Sequence, residues 1–124
     1  MIKVLVCGGR DFTDEVLICS TLGKIHKEHG ISVIVHGGAS GADCLASVFA
    51  EKNGISTERY PANWQKHGKA AGPIRNKYML NFSKPDIVVA FDGGKGTANM
   101  VSLANKDGVP VFIVTKNGMH LYGR

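Results

Sequence analysis

The stretch KVLVCGG, residues 3–9, contains the pattern from which this chain is built: a short apolar run that ends directly in two glycines. The pattern returns as VIVHGG at residues 33–38 and as IVVAFDGG at residues 87–94. Continuous runs of β-branched and apolar residues are typical of strands that are covered on both faces. Glycines that follow such strands mark tight connections to the next element. The sequence therefore predicts strands that alternate with helices.

Five strands are predicted, at residues 2–7, 32–36, 56–60, 86–91 and 110–115. Apolar stripes predict helices between them, and Ile18, Leu22 and Ile25 form one such stripe at helical spacing. A further helix is expected over residues 73–82, because Pro73 suits a first helical turn. Three glycines precede strands and suit the left-handed residue that ends a helix: Gly30, Gly54 and Gly108.

Strands that alternate with helices favour right-handed crossovers and a parallel, doubly wound sheet. We therefore predict an α/β fold, a single Rossmann-like three-layer domain over residues 1–124. Its five-stranded, mostly parallel sheet is expected to have the order 3-2-1-4-5, with a switch point between the first and fourth strands. The polar, glycine-containing tail from Lys116 to Arg124 is expected to be loosely held.

The composition limits the classes of protein to which the chain can belong. With 124 residues, 44% of them hydrophobic and 20% charged, it is expected to form one globular domain. A net charge of +5 favours anionic partners without choosing among nucleotides, nucleic acid and lipid. No apolar run approaches the roughly 20 residues of a membrane span, and no signal peptide is expected. Cys7, Cys19 and Cys44 lie in or beside apolar runs and are predicted to be reduced core thiols of a cytoplasmic protein.

The three glycine pairs point to a ligand site. Open parallel sheets bind ligands outside the carboxyl ends of the strands, where the first amides of the following helices favour an anion. The candidate phosphate- and ligand-binding residues in these loops are Gly8, Gly9, Arg10, Gly37, Gly38, Ser40, Gly41, Gly93, Gly94, Gly96 and Thr97. Two alternatives stay open: the glycines only make tight turns, and Ser40 only caps a helix.

The connection WQKHGKAAGPIRN, residues 64–76, adds three candidates. Arg75 and Asn76 fall in the first turn of a predicted helix, where a cation opposes the helix dipole and indicates a nearby anion. Arg75 can bind a phosphate or form a structural ion pair, and Asn76 can bind a ribose or a base edge. Trp64 either stacks on a base or packs against the domain. We expect no metal and no cofactor, since no zinc spacing occurs, and catalytic residues stay unassigned.

Four motifs together resemble a known family. They are GGRDF at residues 8–12, HGGASGAD at 36–43, GPIRN at 72–76 and GGKGTANM at 93–100. In this order they resemble the YspA/YpsA-related branch of the SLOG superfamily, which is common in bacteria and phages. The resemblance implies a Rossmann-like domain that binds nucleotide-derived ligands, with roles in NAD or ADP-ribose metabolism, signalling or phage–bacteria conflict. It also implies a homo-oligomer.

One position departs from a neighbouring group of enzymes. The lonely-guy phosphoribohydrolases carry a catalytic glutamate where this chain has Met100. A thioether cannot serve as a general acid or base, so the resemblance favours binding without turnover. Asp11 and Asp43 are the carboxylates that an enzyme would have to use instead.

Three functions follow as hypotheses. The first is a sensor or sequestering protein for an ADP-ribose-like, NAD-related or cyclic-nucleotide signal. The second is a nucleotide N-glycosidase or phosphoribohydrolase-like enzyme. The third is single-stranded nucleic-acid binding, because the DNA-processing protein A family has a related fold and the chain is basic. The low aromatic content of 7% argues against a base-stacking platform.

Overall fold

Six strands and five helices alternate along residues 1–123, the part of the chain that this computed structural model describes. The strands are β1 (Ile2–Cys7), β2 (Ile31–His36), β3 (Ser56–Arg59), β4 (Ile87–Ala90), β5 (Val111–Thr115) and β6 (Gly118–Leu121). The helices are α1 (Glu15–His29), α2 (Ala42–Lys52), the single-turn α3 (Trp64–His67), α4 (Ala71–Ser83) and α5 (Lys95–Lys106). A 3₁₀ turn at Gly68–Ala70 joins α3 to α4.

The strands form one sheet in the order β3-β2-β1-β4-β5-β6. β1 is central, and its residue Val4 pairs with Ile34 of β2 on one side and with Ile87 of β4 on the other. The first five strands are parallel to one another. The predicted order 3-2-1-4-5 is therefore confirmed, and the order reverses between β1 and β4 as expected.

Helices cover both faces of the sheet. Alternate residues of a strand point to opposite faces, so each buried strand contributes side chains to two separate cores. In β1, Val4 and Val6 belong to a core cluster with α1 and α2. Leu5 and Cys7 belong to a second cluster, with α4 and α5. This arrangement confirms the three layers and explains why β1 reads as an unbroken apolar run.

The local predictions for the helices agree closely with the structure. The stripe Ile18, Leu22 and Ile25 is buried along α1. The helix expected at residues 73–82 extends over Ala71–Ser83. The three glycines after helices have positive φ angles of 71°, 66° and 74°: Gly30, Gly54 and Gly108. Within residues 1–123, no helix combines the length and the apolar character that crossing a membrane requires.

The expectation of a loosely held tail is wrong for residues 118–121, which form β6 antiparallel to β5. Gly118, at φ 119°, allows the chain to reverse, and the Thr115 hydroxyl accepts a hydrogen bond of 3.2 Å from Asn117 N within the turn. Without β6, the backbone groups on one side of β5 would lack strand partners. The strand forms by main-chain pairing with β5, and its four residues, GMHL, include none of the β-branched residues that typically indicate a strand.

The predicted burial of the three cysteines is correct only for Cys7. All three are free thiols, and Cys19 and Cys44 are exposed. Cys19 follows the buried Ile18, but successive residues of a helix point about 100° apart. An apolar neighbour along the chain therefore does not place a residue on the buried face.

A buried hydroxyl at the end of α4 gives a testable consequence for stability. Ser83 Oγ is the one buried side-chain polar atom without a hydrogen-bond partner among residues 1–123. Burying an unpaired hydroxyl costs about 1–3 kcal/mol. We expect Ser83→Ala to raise the free energy of unfolding by about 1 kcal/mol, measured by urea denaturation.

Ser20→Ala is the matched control, because it makes the same change on the exposed side of α1, where the hydroxyl donates to Leu17 O. This variant should stay within about 0.5 kcal/mol of the parent protein. A Ser83→Ala protein no more stable than the parent would contradict the expectation.

Candidate functional site

Three loops meet at the carboxyl edge of the sheet, and the β1–α1 loop lies between the other two. Gly9 N donates to Asp92 O of the β4–α5 loop over 2.8 Å. From the other side, Ala42 N donates to Gly9 O over 3.1 Å, and the Ser40 hydroxyl donates to Arg10 O over 3.3 Å. Backbone contacts therefore join the three glycine loops into one surface at the switch point.

A cavity of about 750 Å³ opens on this surface. Ten of the predicted site residues line it: Gly8, Gly9, Arg10, Trp64, Arg75, Asn76, Gly93, Gly94, Gly96 and Thr97. Four others, all from the β2–α2 loop, are not among its lining residues: Gly37, Gly38, Ser40 and Gly41. The cavity thus lies mainly between the β1–α1 loop, the β4–α5 loop and α4.

Packing accounts for the glycines of the β2–α2 loop. A Cβ at Gly37 would collide with the guanidinium of Arg75, and one at Gly38 would collide with Arg59. Gly41 has a positive φ of 75°, and a Cβ there would collide with the backbone of Gly9 and Arg10. Gly41, not Ser40, is the N-cap residue of α2. These positions need glycine for the close approach of the loops.

The glycines of the β4–α5 loop divide into two kinds. A Cβ at Gly93 would collide with Thr97 and lie 2.7 Å from Gly9 N, so this glycine serves loop packing. Around Gly94 and Gly96, a Cβ would meet nothing within 4 Å. Both positions line the cavity, so the missing side chains leave room for another molecule above the start of α5.

Arg75 projects from the first turns of α4 toward the β2–α2 loop. Its Nη1 donates to Gly37 O over 2.8 Å and to Tyr60 O over 3.2 Å, and its Nε donates to Asn76 Oδ1 over 3.0 Å. These partners are two backbone carbonyls and one amide, so the contacts differ from the ion pair that we considered. Burial lowers the pKa of Arg75 from its ordinary value, but a guanidinium stays charged in proteins. Arg75 therefore presents a fixed positive charge at the cavity wall.

Asn76 is buried and joins two helices. Its Nδ2 donates to Gly96 O over 3.0 Å and to Asn99 Oδ1 over 3.1 Å. Together with the bond from Arg75, these contacts use both ends of the amide. The side chain thus holds the first turn of α5 in place, and its predicted contact with a ribose or base stays a prediction.

Asp43 lies deeper in the site than its place in the sequence suggested. It is in the first turn of α2, only 6% exposed, and its Oδ2 accepts hydrogen bonds from Gly37 N (3.1 Å) and Ala39 N (3.2 Å). Burial raises the pKa of Asp43, although the two amides and Arg75 oppose the shift. Sequence reasoning named Asp43 only as an alternative acid, because the fold of the loop back onto its carboxyl has no local pattern.

Three carboxyl groups line the cavity: Asp11, Asp43 and Asp92. Met100, at the position of the phosphoribohydrolase glutamate, is fully buried in the core with Met79 and Leu80 and does not line it. Cys7 lies at the cavity floor, where burial raises the pKa of its thiol to about 12. Within residues 1–123, no group of three or more His, Cys, Asp or Glu side chains could hold a metal ion.

An aromatic and several cations form the mouth of the cavity. Arg10 Cζ lies 4.9 Å from the ring centroid of Trp64, which is 47% exposed. Lys69 and Lys95 also line the cavity, although neither was among the residues selected from the sequence. The sequence feature that could have identified Lys95 as a site residue is its position directly after Gly94, in the first turn of a helix that follows a strand.

The fold and the site define a class: a Rossmann-like α/β domain with an open cavity at its switch point. More narrowly, the chain belongs to the YspA, cpYpsA-related SLOG family, whose model matches residues 2–67. The Gene 61 protein of Mycobacterium phage D29 is 35% identical over 120 residues, which cover 90% of this chain and 95% of that protein.

Solved structures of DNA processing protein A share the fold. The protein from Streptococcus pneumoniae matches with a TM-score of 0.76 and 19% identity, covering 93% of this chain and 50% of that one. The protein from Helicobacter pylori, described for its single-stranded DNA binding mode, matches with a TM-score of 0.67 and 19% identity. That match covers 93% of this chain and 66% of the other. The chain thus spans between half and two thirds of these structures.

Because burial raises the pKa of Asp43, we expect the stability of the protein to depend on pH. A carboxyl whose pKa is higher in the folded than in the unfolded protein destabilises the fold as pH rises from the unfolded to the folded pKa. Asp43→Asn keeps an oxygen for the two amides and removes this titration. We expect its stability, relative to the parent protein, to increase from pH 4 toward neutral pH in urea denaturation.

Asp107→Asn, an exposed aspartate at the end of α5, controls for the loss of one negative charge. A difference between Asp43→Asn and the parent that stays constant or shrinks as pH rises would contradict the expectation.

Proposed function

We propose that the protein binds a nucleotide-derived anion in the cavity at the switch point, as a sensor or sequestering protein. The observation that carries the proposal is the convergence of one open helix start and four cationic side chains on one space of about 750 Å³. The cations are Arg10, Lys69, Arg75 and Lys95. Pockets for small ligands have volumes of about 300–1,000 Å³, and a nucleotide fits this range.

The start of α5 supplies backbone donors for a phosphate. The first helical hydrogen bond runs from Ala98 N to Gly94 O over 3.0 Å, so the amides of Lys95, Gly96 and Thr97 have no acceptor within the helix. The N-cap residue of this helix is Gly94, which has no side chain to accept from these amides. Free amides at the positive end of a helix dipole favour an anion, and the absence of side chains at residues 94 and 96 lets it approach.

The charges of the cavity support the same ligand class. The four cations face three carboxyls, and one of these, Asp43, is already engaged by two backbone amides. Arg75 is held by its carbonyl partners, so little side-chain freedom would be lost when an anion binds. An ADP-ribose-like, NAD-related or cyclic-nucleotide signal combines phosphates with a sugar and a base, and it is the ligand that we propose.

Binding without turnover is the form of the function that we favour. The position at which the phosphoribohydrolases carry their acid is occupied by Met100, which packs in the core and does not line the cavity. The phage relative is compatible with a role in phage–bacteria conflict. An enzyme would have to use Asp11, Asp43 or Asp92, and recovery of a cleaved ligand after binding would favour that alternative.

The test introduces a negative charge above the start of α5. Gly94→Asp should fold normally, since a Cβ there meets nothing within 4 Å. We expect it to weaken binding at least tenfold, because a carboxylate would repel the phosphate. Calorimetric titration and thermal shift with AMP, ADP-ribose, NAD and a cyclic dinucleotide measure the effect. A bound nucleotide at 100 times its Kd should stabilise the parent protein by about 2.7 kcal/mol.

Ser102→Asp is the matched control, because it adds the same charge to an exposed position of α5 that does not line the cavity. It should bind like the parent protein. The proposal fails if no compound of the panel binds, or if Gly94→Asp binds as tightly as Ser102→Asp.

A second candidate function is single-stranded DNA binding at the same edge. It is favoured by the exposed Trp64 beside Arg10 at the cavity mouth, since an aromatic next to cations can stack on a base and hold a phosphate. The similar fold of the Helicobacter pylori protein agrees with this alternative. One exposed tryptophan offers less stacking than single-strand binders typically have, so we rank it second.

Salt dependence distinguishes the two candidates. For single strands, the slope of log K against log salt is about −0.7 per phosphate contact. If DNA is the ligand, Lys69→Ala and Lys95→Ala should each make the slope shallower by about 0.7, measured by anisotropy of a labelled oligothymidine. Lys106→Ala, at the far end of α5, should leave it unchanged. Binding that is no tighter for the oligonucleotide than for a mononucleotide would exclude this candidate.

A further inference from the structure

A second cavity, of about 710 Å³, lies on the other side of the β4–α5 loop. It is bounded by the β1–α1 loop, the start of α5 and the end of β5. Its walls are mainly apolar and include Phe12, Leu17, Phe91, Val101 and Ile113. The function proposed above makes no use of this space.

The two cavities share a wall. Six residues line both: Asp11, Phe12, Asp92, Gly93, Gly94 and Thr97. At Gly94 this wall consists of backbone alone, and a Cβ added to this residue would have no neighbouring atom within 4 Å. A linear ligand can therefore pass over Gly94 with one end in each cavity, whereas any side chain at this position would stand in its path.

The charges of the two cavities differ in sign. The first is lined by four cations, Arg10, Lys69, Arg75 and Lys95, and by three carboxyls, so its formal charges sum to +1. The second has one cation, Lys116, and three carboxyls: Asp11, Asp14 and Asp92. A phosphate is therefore favoured in the first cavity and disfavoured in the second. What suits the second is a neutral group with apolar faces and hydrogen-bond donors at its edge.

Aromatic side chains in the second cavity match a flat ligand. The ring of Phe12 is partly exposed and packs on Phe91, which is buried in the core, with 5.4 Å between the centroids and an angle of 52°. Tyr122, which follows β6, also lines the cavity and is 42% exposed, so Phe12 and Tyr122 are the rings that a ligand can reach. Ring faces of this kind bind planar heterocycles by stacking. Ionised carboxylates only accept hydrogen bonds, so they would recognise a donor at the edge of the base, and an exocyclic amino group offers two such hydrogens.

We infer that the second cavity binds the nucleobase of the same ligand, and that the base carries an exocyclic amino group, as adenine, guanine and cytosine do. The inference rests on the proposed function, since it places the phosphate in the first cavity. It extends that function by assigning the specificity for the base to residues of the β1–α1 loop and the β5–β6 hairpin.

The experiment fills the second cavity without touching the first. Ala98 is exposed and lines only the second cavity. With ADP and ribose 5-phosphate as probes in calorimetric titrations, Ala98→Phe should weaken ADP binding at least tenfold and change ribose 5-phosphate binding less than twofold. Ser102→Phe, which adds the same ring to α5 away from both cavities, should bind both probes like the parent protein.

A second comparison uses only the parent protein and so does not depend on how a variant folds. Inosine diphosphate lacks the amino group of ADP, and it should bind several-fold more weakly. Equal binding of the two diphosphates would overturn the recognition of the amino group.

The outcomes also separate the inference from the function on which it rests. If ribose 5-phosphate binds the parent protein and ADP binds no more tightly, the base site is wrong and the phosphate site stands. The base site is also overturned if Ala98→Phe weakens both probes equally or neither. If neither probe binds the parent protein, the proposed function fails and the base site fails with it.

Discussion

The rest of the site depends on the hydrogen bonds that the backbone of Gly9 makes to the neighbouring loops. Its N–H donates to Asp92 O, and its carbonyl accepts from Ala42 N, so this one residue is held by loops from both sides of the switch point. A Cβ at Gly9 would lie 3.1 Å from Asp92 O and from Gly93 Cα. A Cβ at Gly41 or at Gly93 would come still closer to the backbone of Gly9, so the three loops approach one another this closely because these positions carry no side chain. The floor of the cavity follows from this constraint.

A second set of contacts fixes the charges around that floor. Arg75 reaches from α4 to the β2–α2 loop, and Asn76 reaches from α4 to α5. Two adjacent residues thus connect three elements that lie far apart in the sequence. Asp43 completes the arrangement, since its carboxylate holds the amides of Gly37 and Ala39 next to the carbonyl that accepts from Arg75. The candidate binding residues are in this way also parts of the structure that supports the cavity.

Much of the fold could be predicted from the sequence, because buried parallel strands read as continuous apolar runs and glycines mark where helices begin and end. β6 could not, since main-chain pairing with β5 makes a strand of four residues, none of which is β-branched. At the site, the three glycine loops were identifiable, but the separate roles of their glycines were not. Gly37 is needed because Arg75, 38 residues away, occupies the space of its side chain. A contact between residues so far apart in the chain leaves no pattern in the local sequence.

Trp64, described above as part of the cavity mouth, has a further consequence for how this protein can be studied. It is the only tryptophan among 124 residues, and the guanidinium of Arg10 lies over its ring. Indole emission responds to nearby charge and to solvent, so whatever displaces Arg10 or covers the ring should alter the intrinsic fluorescence. The molecule therefore carries its own optical probe at the entrance of the cavity, and occupancy can be followed in real time without attaching a label.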